Sequence, residues 1–373
     1  MTDTVFSPAF GNKPGTLVGR DQNMKCLTDG LLVPAGNRER ARLIIGQRGM
    51  GKTVLLLELA DYAKKHNYIV ASPTVVSSDM LERILEKLER DGERVLPHVR
   101  TKVTGGTVGL LGFSAGIQTE TQQEPKRSFA YRLLDFCEKA GEAGKGILIL
   151  VDEVQANHEE LKRLIIAYQE MVGEGKNIAV VFAGLPAAVS KTLNQHVLTF
   201  FNRASKLILE PISATEISIY YRKSFEELGI RISDAWIEKA AEATEGSPYM
   251  MQLVGHYITV SAAEDGALSE RAFRQAISSA KKDFIVDICE TTLSPLSEKD
   301  IEFLNAMAED EGESAVRDIC ARLSAEPAYV QRYKTRLSQA GIISQSRRGY
   351  VEYAVPYLKE YFRKEKEDEH SGR

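Results

Sequence analysis

The chain has 373 residues, 43% of them hydrophobic and 27% charged, and its 48 Lys and Arg nearly balance 52 Asp and Glu for a net charge of −4. This is an ordinary globular composition, which excludes wholesale disorder, a collagen and a disulfide-stapled miniprotein, and the length allows two or three domains. The near-neutral total does not advertise a polyanionic partner, although a local basic face can hide within it. No apolar run approaches the 18–20 or so residues that span a bilayer, and the start MTDTVFSPAFGNKPG lacks the basic head and apolar run of a secretory signal. The four cysteines form no CxxC pair and the six histidines no HExxH, so we expect free thiols, a cytoplasmic location, no membrane and no zinc site.

In chain order, residues 1–15 are polar with Gly and Pro and read as a flexible arm. Residues 16–212 alternate short apolar strands with amphipathic helices, the pattern of an α/β fold with a parallel sheet. Strands are expected over 42–46, 68–72, 147–152, 178–183 and 206–210, and continuous apolar runs such as Ile147–Val151 suit strands covered on both faces. Residues 104–121 (TGGTVGLLGFSAGIQTET) read as an inserted β-hairpin, either packed on the domain edge or protruding as a contact element. Residues 213–290 read as an α-helical lid opened by a Ser213/Glu216 capping box. Residues 291–363 read as three helices, over 296–308, 315–323 and 327–340, followed by a hairpin turning at 346–349. That is the plan of a C-terminal winged helix-turn-helix. Residues 364–373 form a charged tail.

The motif that decides the chemistry is Gly46-Gln47-Arg48-Gly49-Met50-Gly51-Lys52-Thr53, a G-x-x-x-x-G-K-[ST] phosphate-binding loop between an expected strand and an expected helix. Glycines at 46, 49 and 51 let the backbone wrap closely, and the loop N–H groups converge on a phosphate where the helix dipole favours anions. Lys52 brings a positive charge to the β- and γ-phosphates, and Thr53 a hydroxyl for Mg²⁺. A hundred residues on, the strand Gly146–Val151 ends in Asp152 and Glu153. Asp152 suits the Mg²⁺ shell, and Glu153 the activation of an attacking water. Both motifs fall at the carboxyl ends of strands, where open α/β sheets bind ligands.

Together with Leu17-Val18-Gly19-Arg20-Asp21, these motifs resemble those of AAA+ and STAND P-loop ATPases, and within them the bacterial and archaeal ATPases related to origin-recognition initiators. The resemblance covers about residues 16–290 and extends to the winged helix. It implies an adenine pocket lined by Val18, Gly19 and Arg20, with Pro248 of Gly246-Ser247-Pro248 against the base. It also implies ATP and Mg²⁺ as cofactors, hydrolysis to ADP and phosphate, and self-association. Two departures stand out. The strand 178–183 runs into Phe182-Ala183-Gly184 with no polar sensor, and Tyr249 follows Pro248 where initiator-type relatives carry an Arg, so turnover is expected to be slow. Arg203 is the candidate arginine finger, acting on a neighbour or in cis.

On the third C-terminal helix, Val330, Tyr333 and Leu337 share a core-facing stripe, while Arg332, Lys334 and Arg336 lie mostly off it and Arg347 and Arg348 cap the wing. A basic recognition helix and a basic wing fit duplex DNA. The expected protein is therefore an ATPase that couples nucleotide state to DNA binding. The alternative is a STAND-like switch whose winged helix contacts a protein partner.

Overall fold

The computed structural model describes residues 5–8, 15–93, 96, 127–155, 158–193 and 202–371. The expected hairpin at 104–121 lies outside them. Helix α1 (Asp21–Leu32) leads to β1 (Ala41–Ile45), whose end runs through the phosphate-loop motif into α2 (Lys52–Lys65). There follow β2 (Tyr68–Val75), α3 (Met80–Gly92), α4 (Phe129–Glu142), β3 (Gly146–Asp152), α5 (Glu159–Gly173), β4 (Ile178–Gly184), α6 (Pro186–Leu193) and β5 (Ser205–Ile208). The five strands form one parallel sheet in the order β2-β3-β4-β1-β5.

The sheet is covered on both faces. Along β3, Ile147, Ile149 and Val151 pack with α3, α4 and α5, while Leu148 and Leu150 pack with α1 and α2. Side chains alternate across a strand, so a strand sandwiched between helix layers must be apolar at every position. The expected strands hold to within a few residues. β2 runs on through Pro73 with a register shift between Ala71 and Thr74, which an edge strand tolerates because Pro73 has no N–H to give to the ladder. β5 stops at Ile208, though the Leu209 N–H still donates to Ile45 O at 2.8 Å.

The helical block contains α7 (Ala214–Glu227), α8 (Asp234–Glu242), α9 (Pro248–Ser261) and α10 (Glu270–Phe284). Ser213, Ser233, Ser247 and Ser269 cap these helices in turn, each accepting from the backbone N–H three residues on. The capping box is present, with the Ser213 N–H on Glu216 and the Glu216 N–H on Ser213 Oγ. Ser213→Ala is expected to cost about 1 kcal/mol in a chemical-denaturation series.

Helix α10 does not stop where a boundary between 290 and 291 was expected. It continues through a π-helical turn (Ile285–Glu290) into α11 (Thr291–Leu293). One apolar core then joins the helical block to α12 (Glu298–Met307), β6 (Ser314–Ala315), α13 (Val316–Arg322), α14 (Pro327–Gln339), β7 (Ile343–Ser344) and β8 (Tyr350–Tyr353). The three strands form an antiparallel sheet in the order β6-β8-β7, so the three helices and wing make a winged helix-turn-helix. α15 (Leu358–Ser371) is a helix whose Leu358 and Phe362 are fully buried in the shared core.

Residues 5–8 are not a loose arm. Phe6 is 3% exposed and packs edge-on against Tyr220 and Tyr221 and beside Phe225. Gly255 of α9 leaves the room, since a methyl group there would enter the Phe6 ring. One aromatic side chain that buries its full surface offsets the entropy of ordering a short segment, which a polar composition hides.

Candidate functional site

The loop after β1 is bent by glycines in the left-handed region, Gly49 at φ +75° and Gly51 at φ +80°. A side chain on Gly49 would press on Tyr249. Gly51 is the N-cap of α2 and supplies no side-chain cap, so the first N–H groups of α2 are left for an anion. Lys52 Nζ donates to Gly46 O at 2.9 Å and to Gln47 O at 2.7 Å, and burial depresses the Lys52 pKa to about 8 against the opposing pull of Asp152. Thr53 Oγ1 donates to Asp152 Oδ2 at 2.6 Å, and the Glu153 N–H donates to Asp152 Oδ1 at 2.9 Å. Asp152 is buried. Glu153 sits at φ +52°, a costly conformation for a residue with a Cβ and one that recurs where a side chain must be aimed.

These groups line a cavity of about 800 Å³, within the range of small-molecule sites. Of the expected residues, Val18, Arg20, the loop from Gln47 to Thr53, Asp152, Glu153 and Pro248 line it. Gly46 and Gly19 do not, and they act through the backbone. Gly46 offers its carbonyl to Lys52. Gly19, at φ +62°, lies where a Cβ would come within 2.6 Å of Ile212. Arg20 is 4% exposed, and its guanidinium donates to Glu210 O at 2.8 Å and Met50 O at 3.5 Å. It braces the loop against the end of β5 as well as facing the cavity. Arg203 is exposed and lies outside the cavity lining.

Other cavity residues were not foreseen. Lys191 of α6 brings a cation to the lining just beyond β4, whose end carries no polar side chain. From the helical block come Tyr249, Gln252 and Asp287, with the Tyr249 hydroxyl donating to Asp287 Oδ2 at 2.6 Å. Ser7 enters from the N-terminal segment, and Ala340 and Ile342 from the winged helix. Nothing local marks these positions, which lie far apart in sequence. The Gln47 side-chain amide donates to Gly341 O, tying the phosphate loop to the turn after α14.

The donor set fits Mg²⁺, a hard ion that takes a hydroxyl and a carboxylate. Thr53 and Asp152 are the groups that would hold it. Among the described residues no three His, Cys, Asp or Glu side chains cluster as metal ligands, so phosphate oxygens and water would complete the shell.

Part of the expected basic face is paired with acidic side chains. Arg336 donates to the buried Asp300 at 2.8 Å, and Arg347 pairs with Glu313 and lies over the Tyr350 ring. Lys334 donates to Gln345 at 3.1 Å. Arg332 and Arg348 are exposed and form no ion pair among the described residues. No helix among the described residues is long and apolar enough to cross a membrane, and all four cysteines are free.

Comparison with known proteins agrees with this geometry. Residues 16–181 match the family model described as AAA ATPase domain, and residues 287–362 match one described as a domain of unknown function. No curated protein matches the chain. Among solved structures, a Walker-type ATPase of Pyrococcus abyssi superposes with a TM-score of 0.64 at 15% identity, over 93% of this chain and 96% of that one. The ORC2 protein of Aeropyrum pernix, in ADPNP–ADP complexes, gives 0.64 at 17% identity over 95% and 94%. Cdc6p of Pyrobaculum aerophilum gives 0.51 at 17% over 98% and 99%. The chain therefore carries an AAA+ P-loop ATPase domain. Over nearly its whole length it has the fold of the archaeal origin-recognition proteins.

Proposed function

We propose that the protein binds ATP with Mg²⁺ in the cavity, hydrolyses it slowly, and uses the nucleotide state to set how its winged helix meets duplex DNA. The supporting observation is the Gln47–Gly341 hydrogen bond, which joins the phosphate loop directly to the end of α14. Lys52 and the N–H groups of α2 bind the phosphates, Thr53 and Asp152 hold the ion, and Glu153 takes the proton of the attacking water. When bound, Mg²⁺ neutralises charge on the phosphates. ATP shifts the position of the winged helix only by binding one position more tightly than the other, and a group competing for Gln47 supplies that difference. Arg203, exposed two residues before β5, serves a neighbouring copy in a self-associated form.

A second reading, a switch whose winged helix recognises a protein, is favoured by the commitment of Arg336 and Arg347 to Asp300 and Glu313. Anisotropy with a random-sequence duplex separates the two. We expect binding that changes between ADP and ADPNP and weakens steeply with salt. It should drop by about tenfold or more in Arg332→Ala/Lys334→Ala/Arg348→Ala, a variant that spares the Arg336–Asp300 pair. No binding at 50 mM salt in any nucleotide state removes the DNA reading and leaves the protein-recognition one.

A further inference from the structure

Four buried side-chain polar atoms lack a hydrogen-bond partner among the described residues: Arg20 Nε, His158 Nδ1, Gln252 Nε2 and Ser338 Oγ. Buried polar groups are nearly always satisfied, so each exception asks for an explanation. Two of the four belong to residues lining the cavity, Arg20 and Gln252, and both atoms are donors. Two residues of the cavity lining thus each carry a donor that no described protein group takes up.

Gln252 is the more informative of the two. It is 7% exposed, and its Oε1 accepts the Ser7 N–H at 2.9 Å. That bond settles the orientation of the amide, because a flip would set NH₂ against N–H. Ser7 is itself held by the neighbouring Phe6 plug. What remains free is a fixed, desolvated pair of N–H donors. Gln252 lies four residues after Pro248 on α9, hence on the same helix face. Val18, Ile212, Pro248 and Met251 give the cavity apolar walls of the kind that accept the faces of an aromatic ring, while Lys52 and Asp152 provide its charged part.

We propose that Gln252 reads the base of the bound nucleotide, with Nε2 donating to a ring nitrogen of a purine and Ser7 locking the amide in the donating orientation. The proposal rests on the nucleotide-binding reading of the cavity and adds a specificity residue to it. It also gives the N-terminal segment a role in base recognition.

The test is calorimetric binding of ATP, of its 1-deaza, 3-deaza and 7-deaza analogues, and of inorganic tripolyphosphate. It uses the full chain and the variants Gln252→Leu and Gln252→Glu, with thermal melts of each protein without ligand. Gln252→Glu keeps an acceptor for the Ser7 N–H and so guards against simple unfolding. One deaza analogue should bind the unaltered protein about five- to tenfold more weakly than ATP, the size of one buried hydrogen bond. Both variants should lose about that factor for ATP, lose nothing further for that analogue, and bind tripolyphosphate unchanged. Unchanged ATP affinity in both variants overturns the proposal and assigns Nε2 to a buried water. A parallel loss of tripolyphosphate binding overturns it in favour of a structural role. If the unaltered protein binds neither ATP nor tripolyphosphate, the nucleotide reading itself falls and takes this one with it.

Discussion

Lys52→Ala is expected to weaken ATP binding by about a hundredfold or more, since a charge-assisted hydrogen bond in a desolvated site is worth up to about 3 kcal/mol. Lys52 is held on Gly46 O and Gln47 O, so its ammonium is positioned before any phosphate arrives and little is spent on ordering it. The pH dependence follows from the same burial. The Lys52 pKa falls from 10.5 to about 8, chiefly through desolvation. The ammonium is the form that binds phosphate, so affinity is full below pH 8 and declines above it by up to about tenfold per pH unit. In Lys52→Ala the profile should be flat from pH 7 to 9.5. Without ligand the stability has the opposite slope. Between about pH 8 and 10.5 the unfolded chain holds more protons than the folded one, so folding becomes more favourable as pH rises. Calorimetric titration with ATP and Mg²⁺ across this range checks the first effect, and denaturant midpoints check the second. A weak, pH-independent loss in Lys52→Ala would separate Lys52 from the phosphates.

Glu153→Gln should leave ATP affinity within about threefold and cut steady-state phosphate release by about 10²–10⁴-fold, the usual contribution of a positioned general base. The substitution is isosteric, so the arrangement around Asp152 persists. The Glu153 N–H donates to Asp152 Oδ1 whatever the side chain. What is lost is the carboxylate that the backbone presents at the expense of a positive φ. Equal turnover by the two proteins removes Glu153 from the mechanism.

The parts of the site that could be read in advance are those carried by contiguous residues. The loop 46–53 and the acidic pair at 152–153 are each a short string whose meaning follows from a strand on one side and, for the loop, a helix on the other. The serine caps and the apolar runs of β3 and β4 are equally local. Arg336 and Arg347 show the limit of that reading. Their spacing on α14 and the wing suits a nucleic acid, yet Asp300 and Glu313, from distant segments, claim them first. Helical structure also carries on across the expected domain boundary at residue 290, through a π turn that has no marker in composition.

From residue order alone follow the phosphate loop, the sheet that presents it and the three-helix-plus-wing plan, because each depends on periodicity and on neighbours within a few positions. Folding in three dimensions decided the rest. It brought Phe6 into the aromatic cluster of the helical block, Lys191, Gln252 and Asp287 to one cavity, and Gly341 onto Gln47. These contacts join residues tens to hundreds of positions apart. Which distant pairs meet is set by how whole apolar faces pack against one another, which no local pattern encodes.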